Sequence, residues 1–200
     1  MLRPEFFGAI LFCYLFGSIP FSYLIARWAK GIDLRISGEG NVGARNVWHS
    51  VGKVYGFISG FLDFSKGVVA WAAAQLLALD SPEIWALGLA AVIGHAFPIF
   101  LKGRGGKGAA TAMGFIFCLS PFSLLIAGAL MGLAFIIFRD FHLAVAPGMA
   151  LLPLLWLFVF NKSWTDVALL LAMLLFLGLK RWIDEPYMRK IKSQTGWNKS

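Results

Sequence analysis

Long apolar runs follow one another along almost the whole chain, and they constrain the fold more than any other feature. The runs are separated only by short polar connections, with 59% of the 200 residues hydrophobic and 14% charged. A helix that crosses a bilayer core about 30 Å thick needs roughly 20 predominantly apolar residues. Little sequence remains for a soluble domain. We therefore predict an all-α integral membrane protein that forms a single transmembrane domain over residues 1–200.

Charged residues and prolines divide the chain into about seven predicted spans: residues 5–26, 53–79, 83–101, 108–119, 121–138, 143–160 and 164–180. The fourth span is too short to cross a bilayer alone, because Ser120-Pro121 interrupts its apolar run. We expect a half-length helix inside the bundle, where its ends need not contact lipid. The first run lacks a small-residue cleavage pattern, so we interpret it as a span and not as a signal peptide.

The positions of lysine and arginine predict the orientation. If the N-terminus lies outside, fifteen of the eighteen face the cytoplasm. The positive-inside rule then predicts a cytoplasmic C-terminus, a cytoplasmic tail at 181–200 and an active-site face formed by loops 27–52 and 102–108. A net charge of +8 needs no nucleic-acid partner, since this bias and anionic lipid headgroups account for it.

A glycine-rich cationic loop lies between two apolar runs. Its sequence is Lys102-Gly103-Arg104-Gly105-Gly106-Lys107-Gly108, and Ala109-Ala110-Thr111 opens the next helix. Glycine lets backbone N–H groups surround an anion, and a helix N-terminus adds further donors. We predict a phosphate site at the membrane surface that uses Arg104, Gly105, Gly106, Lys107, Gly108 and Thr111. The alternative, a topology anchor, applies best to Lys102. The spacing is not that of a Walker A loop, which disfavours nucleotide hydrolysis.

The first predicted cytoplasmic loop contains a second polar cluster, Ser37-Gly38-Glu39-Gly40-Asn41-Val42-Gly43-Ala44-Arg45-Asn46. Backbone N–H groups, amides and a hydroxyl at close quarters suit a phosphorylated polyol, which needs both anion and hydroxyl recognition. The alternative is an ordinary polar turn. The candidate substrate-binding residues here are Ser37, Gly38, Gly40, Asn41, Gly43, Arg45 and Asn46.

Three ionisable residues lie inside predicted spans. Asp63 and Lys66 are three residues apart and share a helical face; they are either site residues or a structural ion pair. His95 is either a catalytic base or a hydrogen-bonded packing residue. No cluster of His, Cys, Asp or Glu has metal-ligand spacing, and we expect no metal and no cofactor.

These motifs resemble the bacterial acyl-phosphate:glycerol-3-phosphate acyltransferases of the PlsY type. The resemblance rests on motifs whose order and spacing match over about the first 115 residues: Gly17-Ser18-Ile19-Pro20, the stretch 37–46, Gly52-Lys53, Asp63-x-x-Lys66-Gly67, Gly94-His95-x-Phe97-Pro98 and Gly105-Gly106-Lys107-Gly108-x-Ala110-Thr111.

The resemblance implies a seven-span, multi-pass protein of the bacterial inner membrane with its N-terminus outside. The implied reaction of phospholipid biosynthesis transfers a fatty acyl group from acyl phosphate to the 1-hydroxyl of glycerol 3-phosphate, giving lysophosphatidic acid. Both substrates and membrane lipid are the expected partners. Either His95 or an oxygen of the donor phosphate would accept the hydroxyl proton.

The chain departs from this family at several positions. Glu39, Arg45 and His49 stand where the family usually has serine, threonine and arginine, and His142 stands where it tends to place a serine. The family's C-terminal Arg-His-x-x-Asn-Ile pattern is not recognisable in residues 180–186. Arg45 and His142 are candidates to substitute within the pocket.

Three alternatives to this acyltransferase stay open at the level of sequence. The first is a paralogue with a changed substrate. The second is a transporter of a phosphorylated metabolite, which the lack of an internal repeat and the clustering of candidate ligands on one side disfavour. The third is a lipid-phosphate-binding protein without turnover, which the altered C-terminus keeps open.

Overall fold

Helices make up most of the structure. The computed structural model describes residues 4–197, apart from the side chains of residues 141 and 142. Within this part the elements are α1 Pro4–Ser18, α2 Phe21–Lys30, α3 Ala44–Ser50, α4 Lys53–Leu76, α5 Glu83–Ala96, a 3₁₀ helix Ile99–Leu101, α6 Ala109–Leu119, α7 Pro121–Phe138, α8 Phe141–Phe158 and α9 Trp164–Thr195. The predicted all-α architecture is confirmed.

Four segments are long and apolar enough to cross a membrane: Pro4–Lys30, Lys53–Leu76, Glu83–Leu101 and Pro121–Phe138. Two shorter apolar helices cover Ala109–Leu119 and Leu143–Phe158. The predicted half-length helix is therefore present as α6, whose eleven residues end at the interruption before Pro121. Together these helices define a multi-pass membrane protein.

Two predicted boundaries are wrong. The first predicted span, 5–26, is two helices, because the chain breaks at Ile19-Pro20 and then continues to Lys30. The last predicted span, 164–180, is the first half of a 32-residue helix that reaches Thr195 with Pro186 inside it. Pro186 lies on an exposed side of this helix, where water can satisfy the carbonyl group that loses its partner.

Glycines allow the central helices to approach closely. A Cβ on Gly67 of α4 would overlap the Thr111 carbonyl oxygen of α6, and a Cβ on Gly114 of α6 would overlap the Phe64 carbonyl oxygen of α4. Small residues at such crossings let backbones pack together in a membrane, where no hydrophobic force drives helices together. The start of α6 is thereby fixed against the middle of α4.

A cluster of large side chains joins α5, α6, α8 and α9. Trp85 packs edge-on against Phe115 and Trp156, with ring centroids 5.4 and 5.8 Å away. The two indole N–H groups are satisfied as well, since Trp85 donates to Asp166 and Trp156 donates to Ser123. This cluster ties α9 to the rest of the bundle.

Candidate active site

The first polar loop is folded around the side chain of Asn46. Asn46 is fully buried, and its amide nitrogen donates to the backbone carbonyls of Leu34, Ser37 and Asn41. Its amide oxygen accepts from the Glu39 N–H and the Ser50 hydroxyl. Both polar atoms of Asn46 are therefore engaged by the loop itself, and this residue shapes the loop.

Gly38 shows why the loop needs glycine. Its φ is +61°, in the left-handed region, and a Cβ there would overlap Asn46 Oδ1 and Ser50 Oγ. The neighbouring Ser37 is half-buried. Its carbonyl accepts from the N–H of Gly40, which closes the turn. The loop thus presents Ser37 and Asn41 next to a tightly turned backbone.

A buried carboxylate lies in the middle of this loop. The Glu39 side chain is 0% exposed, and its Oε2 accepts from the Arg45 guanidinium at 2.6 Å. Oε1 accepts from the Asn41 amide nitrogen at 3.5 Å. The other amide atom of Asn41, Oδ1, is buried and has no hydrogen-bond partner among the described residues. Since a buried acceptor without a partner is costly, this oxygen fits a ligand hydroxyl.

The cationic loop between the 3₁₀ helix and α6 meets the first loop in space. A Cβ on Gly106 would overlap His95 Nε2 and would come within 2.6 Å of the Val42 carbonyl oxygen. The Gly106 N–H also donates to the His95 carbonyl at 3.2 Å. Glycine is therefore required where the two loops and α5 converge. The cationic loop therefore contacts the first loop at Val42; that the two loops form the active-site face stays a prediction.

Charges from three parts of the chain surround Lys107. Burial lowers the pKa of the Lys107 ammonium, and the Glu39 carboxylate opposes this decrease. Arg181, Arg45 and Lys192 each lower the pKa further by repulsion. A cationic cluster of this kind favours an anionic ligand, which would relieve the repulsion.

Arg104 and Thr111, which precede and follow Lys107 in the sequence, differ in exposure and in their contacts. Arg104 is exposed, and its guanidinium lies 5.7 Å from the ring centroid of Tyr187. Thr111 is fully buried in the first turn of α6, where its hydroxyl donates to the Asp63 carbonyl at 2.9 Å. Arg104 can therefore reach a ligand at the surface, whereas Thr111 joins α6 to α4. Gly105 and Gly108 lie on either side of Gly106 and Lys107 in the sequence.

Asp63, Lys66 and His95 form one buried network, with the shared helical face that the sequence predicts. Lys66 Nζ lies 2.8 Å from Asp63 Oδ1, and His95 Nδ1 lies 3.3 Å from the same oxygen. The Ser22 hydroxyl donates to Asp63 Oδ2 at 2.8 Å. The network borders a cavity of about 10 Å³ that Gly106 also lines, which is room for about one water molecule.

The C-terminal half of α9 lies over the first loop, a placement that the sequence did not indicate. The Tyr187 hydroxyl donates to the Arg35 carbonyl at 2.8 Å, and the Thr195 hydroxyl donates to the Gly38 carbonyl at 2.7 Å. Ile191 is buried against Gly40. The sequence feature that could have indicated this contact is the four-residue spacing of Tyr187, Ile191 and Thr195, which puts them on one helical face.

Two further candidates, Gly43 and His142, and one departure from the family, His49, lie elsewhere in the chain. Gly43 is the N-cap of α3, directly before Ala44. His49 packs edge-on against Trp197 at 5.3 Å. The side chain of His142 lies outside the described part of the structure. Across residues 4–197, with those two side chains excepted, no group of three or more His, Cys, Asp or Glu side chains could hold a metal ion.

Comparisons with known proteins agree with one another. The sequence profile of the family described as "Glycerol-3-phosphate acyltransferase" matches residues 7–186. A glycerol-3-phosphate acyltransferase of Desulforamulus reducens is 40% identical over 154 residues, 77% of this chain and 76% of the relative. One of Aquifex aeolicus is 49% identical over 113 residues, but the match covers 56% of this chain and only 58% of the relative.

The fold gives the same result. The crystal structure of PlsY (YgiH), an integral membrane glycerol 3-phosphate acyltransferase in its glycerol 3-phosphate form, is similar with a TM-score of 0.81 and 34% sequence identity. The similarity covers 96% of this chain and 92% of that one. The chain therefore belongs to the glycerol-3-phosphate acyltransferase family.

Proposed function

We propose that this protein transfers a fatty acyl group from acyl phosphate to the 1-hydroxyl of glycerol 3-phosphate and so forms lysophosphatidic acid. One observation carries the proposal: two loops about 60 residues apart in sequence converge on one cationic cluster next to an unpartnered amide oxygen. That combination suits a ligand with both a phosphate and hydroxyl groups.

The phosphate of glycerol 3-phosphate binds at Lys107 and Arg104, with the backbone N–H groups of Gly105 and Gly108 and the N-terminus of α6 beside it. Asn41 Oδ1 accepts from a glycerol hydroxyl.

Ser37 and Arg45 contact the headgroup of the donor. The conformation of the first loop is maintained by Gly38, Gly40, Gly43 and Asn46. The donor's acyl chain extends between helices into the bilayer.

The chemistry requires little beyond positioning and charge stabilisation. The 1-hydroxyl oxygen attacks the acyl carbonyl carbon, an ester bond forms, and the bond from that carbon to the phosphate oxygen breaks. Inorganic phosphate leaves with the electron pair of that bond. Acyl phosphate has a good leaving group, and orienting two bound reactants can be worth about 7 to 11 kcal/mol. No covalent enzyme intermediate is needed.

Two groups are in a position to take the hydroxyl proton. His95 is held through Nδ1 by Asp63, which leaves Nε2 towards Gly106 and the loop. A phosphate oxygen of the donor is the other, because it lies next to the attacking hydroxyl in any productive arrangement. Substitution of His95 separates the two.

The excess of Lys and Arg on one side of the predicted topology supports a cytoplasmic site in the bacterial inner membrane. The N-terminus then lies outside and the C-terminus inside. In this arrangement α9 brings its basic C-terminal half to the side where water-soluble glycerol 3-phosphate is present. Membrane lipid supplies the surroundings of the acyl chain.

The experiment is acyl transfer by purified protein in lipid, with palmitoyl phosphate and labelled glycerol 3-phosphate. Lys107→Ala should lower kcat/KM by at least about a hundredfold, since it removes a charged contact from a desolvated site. Lys102→Asn is the matched control: Lys102 is exposed at φ +54° in the same loop, and asparagine tolerates that conformation. Product with palmitoyl-CoA but not with palmitoyl phosphate would contradict the proposed donor.

A further inference from the structure

We infer that Glu39 is a positioning residue: its carboxylate orients Asn41 and Arg45 together and supplies the counter-charge that keeps the cationic cluster assembled before substrate binds. This inference rests on the proposed function, because it assigns a task to Glu39 at the same site. The starting observation is burial, since the Glu39 side chain is 0% exposed.

A buried carboxylate is costly unless it is paired and hydrogen-bonded. Glu39 is placed accordingly, with Arg45 on Oε2 at 2.6 Å, Asn41 on Oε1 at 3.5 Å and its own N–H donating to Asn46. None of these three bonds is local to a helix, because Glu39 and Asn41 lie before α3 whereas Arg45 and Asn46 lie in it. The carboxylate therefore links the loop to the helix that follows it.

The carboxylate also decides which atom of the Asn41 amide is left without a partner. An ionised carboxylate only accepts hydrogen bonds, so the amide nitrogen of Asn41 must be the atom that faces Glu39. The amide oxygen then points away, and it is this atom that lacks a partner among the described residues. Glu39 thus presents an acceptor, and not a donor, to the glycerol hydroxyl.

The third task is electrostatic. The Lys107 ammonium interacts electrostatically with Glu39 of the loop, Arg45 of α3 and the basic residues Arg181 and Lys192 of α9. His95 of α5 lies next to Gly106. Glu39 is the group that favours the charged ammonium, and the three cations disfavour it. Without Glu39, Lys107 would lose its proton at lower pH and would bind phosphate less well.

The test compares Glu39→Gln, which removes the charge at constant shape, with Glu39→Asp, which keeps the charge on a shorter side chain. Asp33→Asn is the matched control, because Asp33 pairs with Arg35 at 2.6 Å in the same loop but its carboxylate is partly exposed. Two quantities are measured: KM for glycerol 3-phosphate, and the pH dependence of Lys107 acetylation by acetic anhydride, followed by mass spectrometry without substrate.

In Glu39→Gln we expect KM to rise about tenfold and the acetylation midpoint of Lys107 to move to lower pH. In Glu39→Asp the midpoint should stay near that of the wild type while KM rises, since the shorter carboxylate reaches Arg45 and Asn41 less well. Asp33→Asn should change neither quantity. An unchanged or lower KM in Glu39→Gln, or an unchanged midpoint, would overturn the inference.

Folding is checked by size-exclusion elution and thermal unfolding. If Glu39→Gln does not fold because Arg45 loses this carboxylate, the double variant Glu39→Gln/Arg45→Gln removes both charges. The Lys107 midpoint should still lie below the wild-type value, because the Glu39 carboxylate affects Lys107 more strongly than Arg45 does; a midpoint at or above the wild-type value contradicts the inference. Acetylation needs no turnover, so a shifted midpoint in a protein that makes no product would refute the proposed function alone.

Discussion

Asn41 has a buried amide oxygen in the first loop that lacks a hydrogen-bond partner among the described residues. Asn46, five residues later, is more deeply buried, but the loop engages both of its polar atoms. From the sequence we predict the same substrate-binding role for both asparagines, because they occur in one polar motif. Only the fold separates a residue that shapes the site from one that can contact substrate.

Asn41→Ala should weaken binding of glycerol 3-phosphate about five- to tenfold, because one hydrogen bond to a neutral hydroxyl is worth about 1 kcal/mol. Binding of inorganic phosphate, which lacks the glycerol hydroxyls, should change little. Isothermal titration of the purified protein with both ligands measures this difference. An equal loss for the two ligands would mean that Asn41 supports the phosphate site instead.

His95 is the second residue whose role is open to a direct test. Its Nδ1 is held by Asp63, and the cavity beside it has room for about one water molecule. We therefore expect the donor phosphate to take the proton, so that His95→Gln retains kcat within about tenfold of the wild type. General-base catalysis contributes about 10²- to 10⁴-fold. A loss of that size in saturating single-turnover measurements would assign the proton transfer to His95.

The helices α6 and α9 show what a pattern of residues can and cannot predict. The length of α6 could be predicted, because Gly108 and Ser120-Pro121 bound it and no bilayer span fits between them. The length of α9 could not, because its apolar period ends near Lys180 and Pro186 usually marks a boundary. Contacts with the first loop continue the helix beyond the proline, and such distant contacts leave only a weak trace in sequence.

The docking of α9 can be tested through Ile191. Ile191→Ala should raise KM for glycerol 3-phosphate and speed amide hydrogen exchange in residues 36–43, because large-to-small changes in packed sites cost about 2 to 5 kcal/mol. Ile183→Ala on the same helix is the control, since Ile183 is 57% exposed. If both variants behave like the wild type, the loop does not depend on α9 for its conformation.

At the scale of the whole molecule, the predicted topology states which side of the membrane each loop faces, and the fold alone does not determine this. With Cys13 and Cys118 replaced by alanine, Asp80→Cys should react with a membrane-impermeant maleimide on intact cells. Lys190→Cys should react only after permeabilisation, and both positions are exposed in the structure. The reverse pattern would place the site outside the cell and would exclude a cytoplasmic supply of glycerol 3-phosphate.

Charge counting predicts an orientation and the loops that would form the site, because both follow from where basic residues stand relative to apolar runs, and the labelling experiment tests the orientation. It could not predict that Glu39 and Arg45 would pair, since a six-residue separation fixes no contact in a turn. Nor could it place Arg181 and Lys192 near Lys107, because they are about 75 and 85 residues away in sequence. These features depend on how the helices pack.

The two parts of the site are attached to different supports. The cationic loop leads into α6, whose glycine contacts with α4 lie in the interior of the bundle. The first loop instead contacts the last turns of α9. A chain shortened before Tyr187 would therefore still insert and keep its phosphate loop, yet would have lost the means of organising its partner loop. Proteolysis near the C-terminus would then remove recognition of the glycerol hydroxyl and leave the phosphate loop and the membrane bundle intact.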